Sequence, residues 1–159
     1  MKTSIVGISE MRVSKQPDEL LITYSLGSCL GVLIHDPVHK VAGQLHAMLP
    51  LSKIDPAKAK ATPGMFVDTG IPLLFRQAYE LGAEKKHIIV KAAGCSSLLD
   101  ESGFFKIGER NFTVLRKLLW KNNILLETYD IGGNFSRTVS IQVATGAVRM
   151  KRSGTEVDL

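Results

Sequence analysis

Apolar residues along this chain fall into short runs separated by polar segments that carry glycine or proline, a pattern of strands and turns more than of long helices. Thr3 to Ile8 and Leu20 to Tyr24 are β-branched or aliphatic stretches of strand length, with a polar segment holding Pro17 and Asp18 between them. Cys29 to Ile34 is apolar apart from Gly31, and Val41 to Met48 follows the stretch His35-Asp36-Pro37-Val38-His39-Lys40. Unbroken runs of this kind suit strands covered on both faces. Asp36-Pro37 suits the start of a type I turn, so the two runs predict a hairpin.

Leu51 to Gly64, with Pro56, Pro63 and three lysines, reads as a loop that would lie as a mobile flap over a site. Val67, Ile71, Leu74, Ala78 and Leu81 then recur at helical spacing up to Gly82, a suitable C-cap. Pro72 conflicts with a helix interior. Either the helix begins close to it, with Asp68 or Thr69 in the approach, or it is kinked there. His87 to Ala92 predicts another buried strand and Gly94 to Lys106 a loop. Phe112, Leu115, Leu118 and Leu119 mark a second amphipathic helix, closed by Asn122 and Asn123. Ile124 to Tyr129 reads as a strand and Gly132-Gly133-Asn134 as a turn. Thr138 to Val143 and Ala147 to Met150 form a closing hairpin around Thr145-Gly146. Seven or so strands with two long helices predict an α+β fold. It is a sandwich of mixed or antiparallel sheets with the helices packed outside, rather than an alternating βαβ sheet.

The length of 159 residues suits one domain, residues 1–159, with a core large enough to need no staples. At 45% apolar and 22% charged residues, disordered, collagen-like and cysteine-rich secreted classes are excluded. The net charge of +5 favours an acidic partner. The densest basic groups, Lys58/Lys60, Lys85/Lys86 and Arg149/Lys151/Arg152, have no interleaved aromatics to stack bases, so nucleic acid is not the expected partner. Cys29 and Cys95 are expected as free thiols. The N-terminus lacks the apolar run of a signal peptide. Leu20 to Ile34 is interrupted by polar residues and falls short of the roughly 20 residues of a membrane span. A soluble, cytoplasmic protein without membrane insertion is expected.

The hairpin carries the most informative chemistry. A four-residue loop over Asp36 to His39 would pair His35 with Lys40 and set Cys29 directly opposite His46, on one face. A loop one residue longer or shorter would separate them. A free cysteine is mostly protonated at neutral pH, and an adjacent histidine can accept its proton and then stabilise the thiolate. Leu26-Gly27-Ser28, just ahead, forms a tight turn that could aim N–H groups at a developing oxyanion. On spacing alone, a buried cysteine beside a half-buried histidine is more often core than catalyst, so the pair by itself leaves both readings open.

Thr23, Leu26-Gly27-Ser28-Cys29, His46-Ala47-Met48-Leu49-Pro50, Ile107-Gly108-Glu109-Arg110-Asn111, and Gly132-Gly133-Asn134 with Arg137 resemble, in order and nearly end to end, the bacterial chemoreceptor glutamine deamidases of the CheD family. The resemblance implies Cys29 as nucleophile, His46 as acid/base and Thr23 as the residue that orients the histidine. It implies hydrolysis of receptor glutamine side chains to glutamate through a thioester, with no cofactor and no metal. The cytoplasmic domains of chemotaxis receptors would be the substrates. It implies a second role as well, docking onto a chemotaxis phosphatase of the CheC type as a regulatory module. The same thioester route would hydrolyse glutamyl methyl esters, so amide and ester substrates both stay open. Ser25 and Cys95 stand where the family often has glycine. If the Cys95 position needs a positive φ, Cys95 is strained or its loop is rearranged. The family motif places no catalytic cysteine there, and Cys95 is read as structural.

A zinc site on His35, His39, His46 and Cys29 fails on distance, because His35 and His39 straddle the turn while Cys29 and His46 lie about 20 Å away along the arms. His35 and His39 are read as turn residues and His87 as the start of a strand.

Overall fold

The computed structural model describes residues 1–97 and 106–159. Among them are ten strands: β1 (Lys2–Ile5), β2 (Met11–Ser14), β3 (Glu19–Leu26), β4 (Leu30–Asp36), β5 (Val41–Ala47), β6 (Ile89–Gly94), β7 (Leu126–Ile131), β8 (Arg137–Gln142), β9 (Val148–Arg152) and β10 (Thr155–Asp158). They form two five-stranded sheets, one ordered β1-β3-β8-β9-β10 and the other β2-β5-β4-β6-β7. β1 pairs with β3, and β6 with β7, in parallel, while the remaining pairs are antiparallel. Helices α1 (Pro56–Ala61), α2 (Val67–Glu80) and α3 (Ile107–Lys121), with three short 3-10 helices, complete the described elements.

The layering follows from the burial of β4 and β5, all of whose residues are inaccessible. One face of the second sheet, with Leu33, Ala42 and Ala93, packs on Leu21, Val139, Ile141 and Met150 of the first sheet. The other, with Val32, Ile34 and Leu45, packs on Ile71, Leu74 and Phe75 of α2 and Leu115 and Leu119 of α3. The α+β sandwich with two long helices outside is therefore the architecture, and the apolar runs of β4 and β5 reflect cover on both faces. α3 joins the parallel strands β6 and β7, so one local βαβ unit exists where none was expected. Two further strands, β2 and β10, are short and carry charges, which hid them from the pattern.

Several boundaries differ from expectation. The segment 51–64 is not an open loop: it holds a 3-10 helix (Ser52–Ile54), α1, and the start of a second 3-10 helix (Pro63–Met65). Asp55 caps α1 by accepting from the Lys58 N–H, and Pro56 occupies its first turn. Asp68 accepts from the Ser52 N–H and hydroxyl at 2.9 Å, which ties the segment to α2. α2 begins five residues before Pro72, and Gly82 closes it with a φ of 103°. His87 lies in a 3-10 helix, Lys85–His87, rather than in a strand. His35 lies in β4 rather than in the turn, its Nε2 2.9 Å from the Val143 carbonyl. Of the loop expected over Gly94 to Lys106, residues 98–105 lie outside the described residues.

The hairpin register is the correction that matters most. Asp36 pairs with Val41 and Gly31 with His46, so the loop is Pro37 to Lys40 and Cys29 does not oppose His46 directly. The cause is Asp36. Its Oδ1 accepts from the Val38 and His39 N–H groups at 2.8 and 3.0 Å, which makes it the residue before the turn instead of part of it. The slip is two residues, an even number, so Cys29 and His46 keep a common face as diagonal neighbours.

Candidate active site

Cys29 ends the bend that joins β3 to β4, and all three carbonyls of that bend are held. The Gly27 carbonyl accepts from Ser96 N–H at 2.9 Å and the Cys29 carbonyl from Cys95 N–H at 2.9 Å. The Ser28 carbonyl accepts from Nδ2 of Asn111 at 3.2 Å. Gly94 makes the approach possible, since a Cβ there would sit 2.4 Å from the Cys29 carbonyl oxygen. Cys29 is half-buried, and burial pushes its thiol pKa up.

His46 projects from β5 into the space between the sheets. Its opposite number is Gly31, which adds no side chain to that face. The backbone is fixed by Glu10, whose carbonyl accepts from His46 N–H at 3.0 Å, and by Ser9, whose N–H donates to the His46 carbonyl at 2.8 Å. The ring is buried and its Nδ1 has no hydrogen-bond partner among the described residues. Burial lowers its pKa, opposed in part by the Val6 carbonyl and the Glu10 carboxylate. Thr23, fully buried in β3 of the facing sheet, donates its hydroxyl to that same Val6 carbonyl at 2.8 Å. The Val6 carbonyl thus accepts from Thr23 and also acts electrostatically on the His46 ring. The hydroxyl proton of Thr23 is already donated there, so any hold on the ring runs through the Val6 carbonyl.

Chemically, a thiol that follows a tightly held glycine-containing bend and a buried imidazole lie on the same side of the second sheet, facing the first. That is the donor set of a nucleophilic cysteine site.

A family model described as CheD chemotactic sensory transduction matches residues 48–152. The chain belongs to the CheD family. It is 55% identical over 150 residues to the probable chemoreceptor glutamine deamidase CheD 1 of Syntrophus aciditrophicus, covering 94% of each chain. It is 44% identical over 159 residues to the probable chemoreceptor glutamine deamidase CheD of Solibacter usitatus, covering 100% of this chain and 94% of that one. A Pyrococcus horikoshii protein of the same description is 38% identical over 156 residues, covering 96% and 93%.

In this CheD family chain Ser25 and Cys95 both adopt the left-handed conformation, at φ 55° and φ 56°. Cys95 is buried with its thiol pKa pushed up to about 12, chiefly by burial, which makes it an inert packing residue. A buried arginine holds its neighbours: Arg137 donates to Asp130 at 2.7 Å, to the Gly94 carbonyl at 3.1 Å, to Ser96 Oγ at 2.9 Å and to the Gly132 carbonyl at 2.7 Å. The residue that motif reading left without a role is Asn111. From α3, fully buried, its Nδ2 donates both to Ser28 and to the Met48 carbonyl at 3.1 Å, joining the cysteine bend to the end of the histidine strand. A buried asparagine on the apolar side of an amphipathic helix was the available signal.

Proposed function

We propose that this protein hydrolyses glutamine side-chain amides to glutamate on the cytoplasmic domains of chemotaxis receptors, with Cys29 as nucleophile, His46 as acid/base and Thr23 as positioning residue. The observation that supports the proposal is that Cys29, just before β4, packs on the side of the second sheet that faces the first, the same side as His46 of β5, which stands opposite Gly31. The names of the relatives supply the substrate class.

In the proposed reaction His46 takes the Cys29 proton as the sulfur adds to the carboxamide carbon. The oxyanion is held by backbone donors of the bend, the Cys29 N–H among them. The imidazolium then gives its proton to the departing amine, so that ammonia leaves and the glutamyl group remains on Cys29 as a thioester. His46 next removes a proton from water, the hydroxide adds to the thioester, and glutamate leaves as the thiol is regenerated. Thr23 keeps the Val6 carbonyl against the ring through the transfers. The same site would accept glutamyl methyl esters, since only the leaving group differs. The chain would act as one domain in the cytoplasm, and docking on a CheC-type phosphatase is proposed as a separate function.

The test incubates the purified chain with receptor cytoplasmic fragments and follows the amide-to-acid mass change and ammonia release. Wild type and Cys95→Ala convert receptor glutamines. Cys29→Ala loses conversion by several orders of magnitude while keeping its fold and any phosphatase binding. Unchanged conversion by Cys29→Ala would remove the enzymatic assignment.

A further inference from the structure

At the end of β4 remote from Cys29, two chain segments bring two imidazoles to one buried carboxylate. Asp36 is fully buried, and His39 Nδ1 lies 2.9 Å from its Oδ2. His87 Nδ1 lies 3.9 Å from the same oxygen and 3.2 Å from Oε2 of Glu84. The ligand atoms of Asp36, His39 and His87 all fall within 4.8 Å of one another.

Hydrogen bonding accounts for only part of this cluster. Asp36 Oδ1 is satisfied by the Val38 and His39 N–H groups, and Oδ2 accepts from the Glu84 N–H at 2.8 Å and faces His39. His87 Nδ1, though buried and aimed at the same carboxylate, makes no hydrogen bond among the described residues. A metal ion at this point would supply the partner that His87 Nδ1 lacks. With zinc bonds of about 2.0 to 2.1 Å, the edge of a tetrahedron is about 3.3 Å, and the observed 2.9, 3.2 and 3.9 Å lie around that length. The backbone N–H groups on Asp36 are the outer partners that orient a ligating carboxylate.

We propose that Asp36, His39 and His87 form a zinc site, with Glu84 or water as the fourth ligand. Imidazole and carboxylate donors in a near-tetrahedral set suit Zn²⁺ over Mg²⁺ or Ca²⁺. Lys86 Nζ, 4.0 Å from Glu84 Oε2, competes for Glu84, which places the burden on the other three. The ion would clamp the tip of the β4–β5 hairpin to the connection between α2 and β6. Asp36 and Cys29 stand seven residues apart along an extended chain, about 23 Å, so the site is structural or regulatory and does not depend on the proposed deamidation.

The test uses the full chain, freed of metal by a chelator and titrated at pH 7.5 with Zn²⁺ against a chromogenic competitor, and with Co²⁺ as an absorbing probe. Wild type and Cys29→Ala should each bind one equivalent, melt at higher temperature with zinc, and give a tetrahedral Co²⁺ spectrum without thiolate charge transfer. His39→Ala and His87→Ala, both partly exposed and tolerant of change, should each weaken binding at least about tenfold, the lower bound for losing even an outer-shell partner. Binding that vanishes in Cys29→Ala but survives in His87→Ala would put the metal on the thiol and overturn the proposal. So would the absence of stoichiometric binding in wild type.

Discussion

Burial acts on Cys29 and His46 in opposite directions, raising one pKa and lowering the other, so both groups rest uncharged at neutral pH. A preformed thiolate–imidazolium pair would require the reverse. In the proposed reaction the proton therefore moves when substrate arrives, and two consequences follow at the scale of single residues. Alkylation of Cys29 by iodoacetamide should climb toward alkaline pH without a plateau near neutrality, whereas a preformed ion pair would give a plateau down to acid pH. Turnover should fall on the acid side as His46 protonates, with the midpoint below the ordinary histidine value of about 6.5. A midpoint at or above that value, in a pH profile of kcat/KM, would contradict the burial argument. The chemical types at these positions were legible in the sequence, and so was their common face. Their register was not, because the turn is set by the Asp36 side chain capping Val38 and His39, and an Asp-Pro pair fits either of two positions in a turn. The positive φ at Cys95 was legible from the resemblance alone.

At the scale of elements, α3 works as a clamp on the site. Asn111 is the residue through which it acts, since its one amide nitrogen spans the carbonyls of Ser28 and Met48. Gly108, one turn earlier, lets the helix approach: a Cβ there would lie 2.4 Å from the Cys95 carbonyl oxygen. Asn111→Ala should lower kcat by about ten- to a hundredfold, the scale of a displaced reacting group, with a smaller change in KM. It should also cost about 1 to 3 kcal/mol of stability for the buried carbonyls left without a donor. Steady-state kinetics beside a chemical melt separates these effects, and a loss of stability with unchanged kcat would reduce Asn111 to packing. The helix itself was legible from its apolar spacing. Its first turn, from Ile107, was not, because Gly108 and the charged Glu109 and Arg110 break the apolar period. The helical character of 52–65 was hidden likewise, by pieces only three to six residues long, too short for a period to show.

At the scale of the molecule, the two sheets are joined by more than apolar packing. Glu19, fully buried at the start of β3, accepts from Ser4 of β1 at 2.5 Å, from Arg12 of β2 at 2.5 Å, and from Ser14 of β2. β1 and β2 belong to different sheets, so one carboxylate spans the sandwich. These hydrogen bonds outweigh the opposing effect of burial and hold Glu19 at about 2, below its ordinary 4.5. Asp36 behaves in the same way at about 2 against 3.8. Groups lowered on folding stabilise above their unfolded pKa, so the protein should lose stability as pH falls from about 4.5 toward 2. Glu19→Gln should lower the unfolding free energy by about 3 kcal/mol at pH 7 and flatten that acid limb. Urea melts across pH check both, and an unchanged acid limb would contradict the role given to Glu19. The sandwich class was legible from strand-length apolar runs, while this clamp was not, because a glutamate in a polar segment reads as surface until the facing sheet is known.

In the proposed reaction the sulfur of Cys29 forms a bond to the substrate, and that bond is directly observable. Acid-quenched reactions with a receptor fragment, digested and mapped by mass spectrometry, should contain a receptor peptide joined through a glutamyl thioester to Cys29 and none on Cys95. Glutamine conversion proceeding with no adduct, or with the adduct on Cys95, would contradict it.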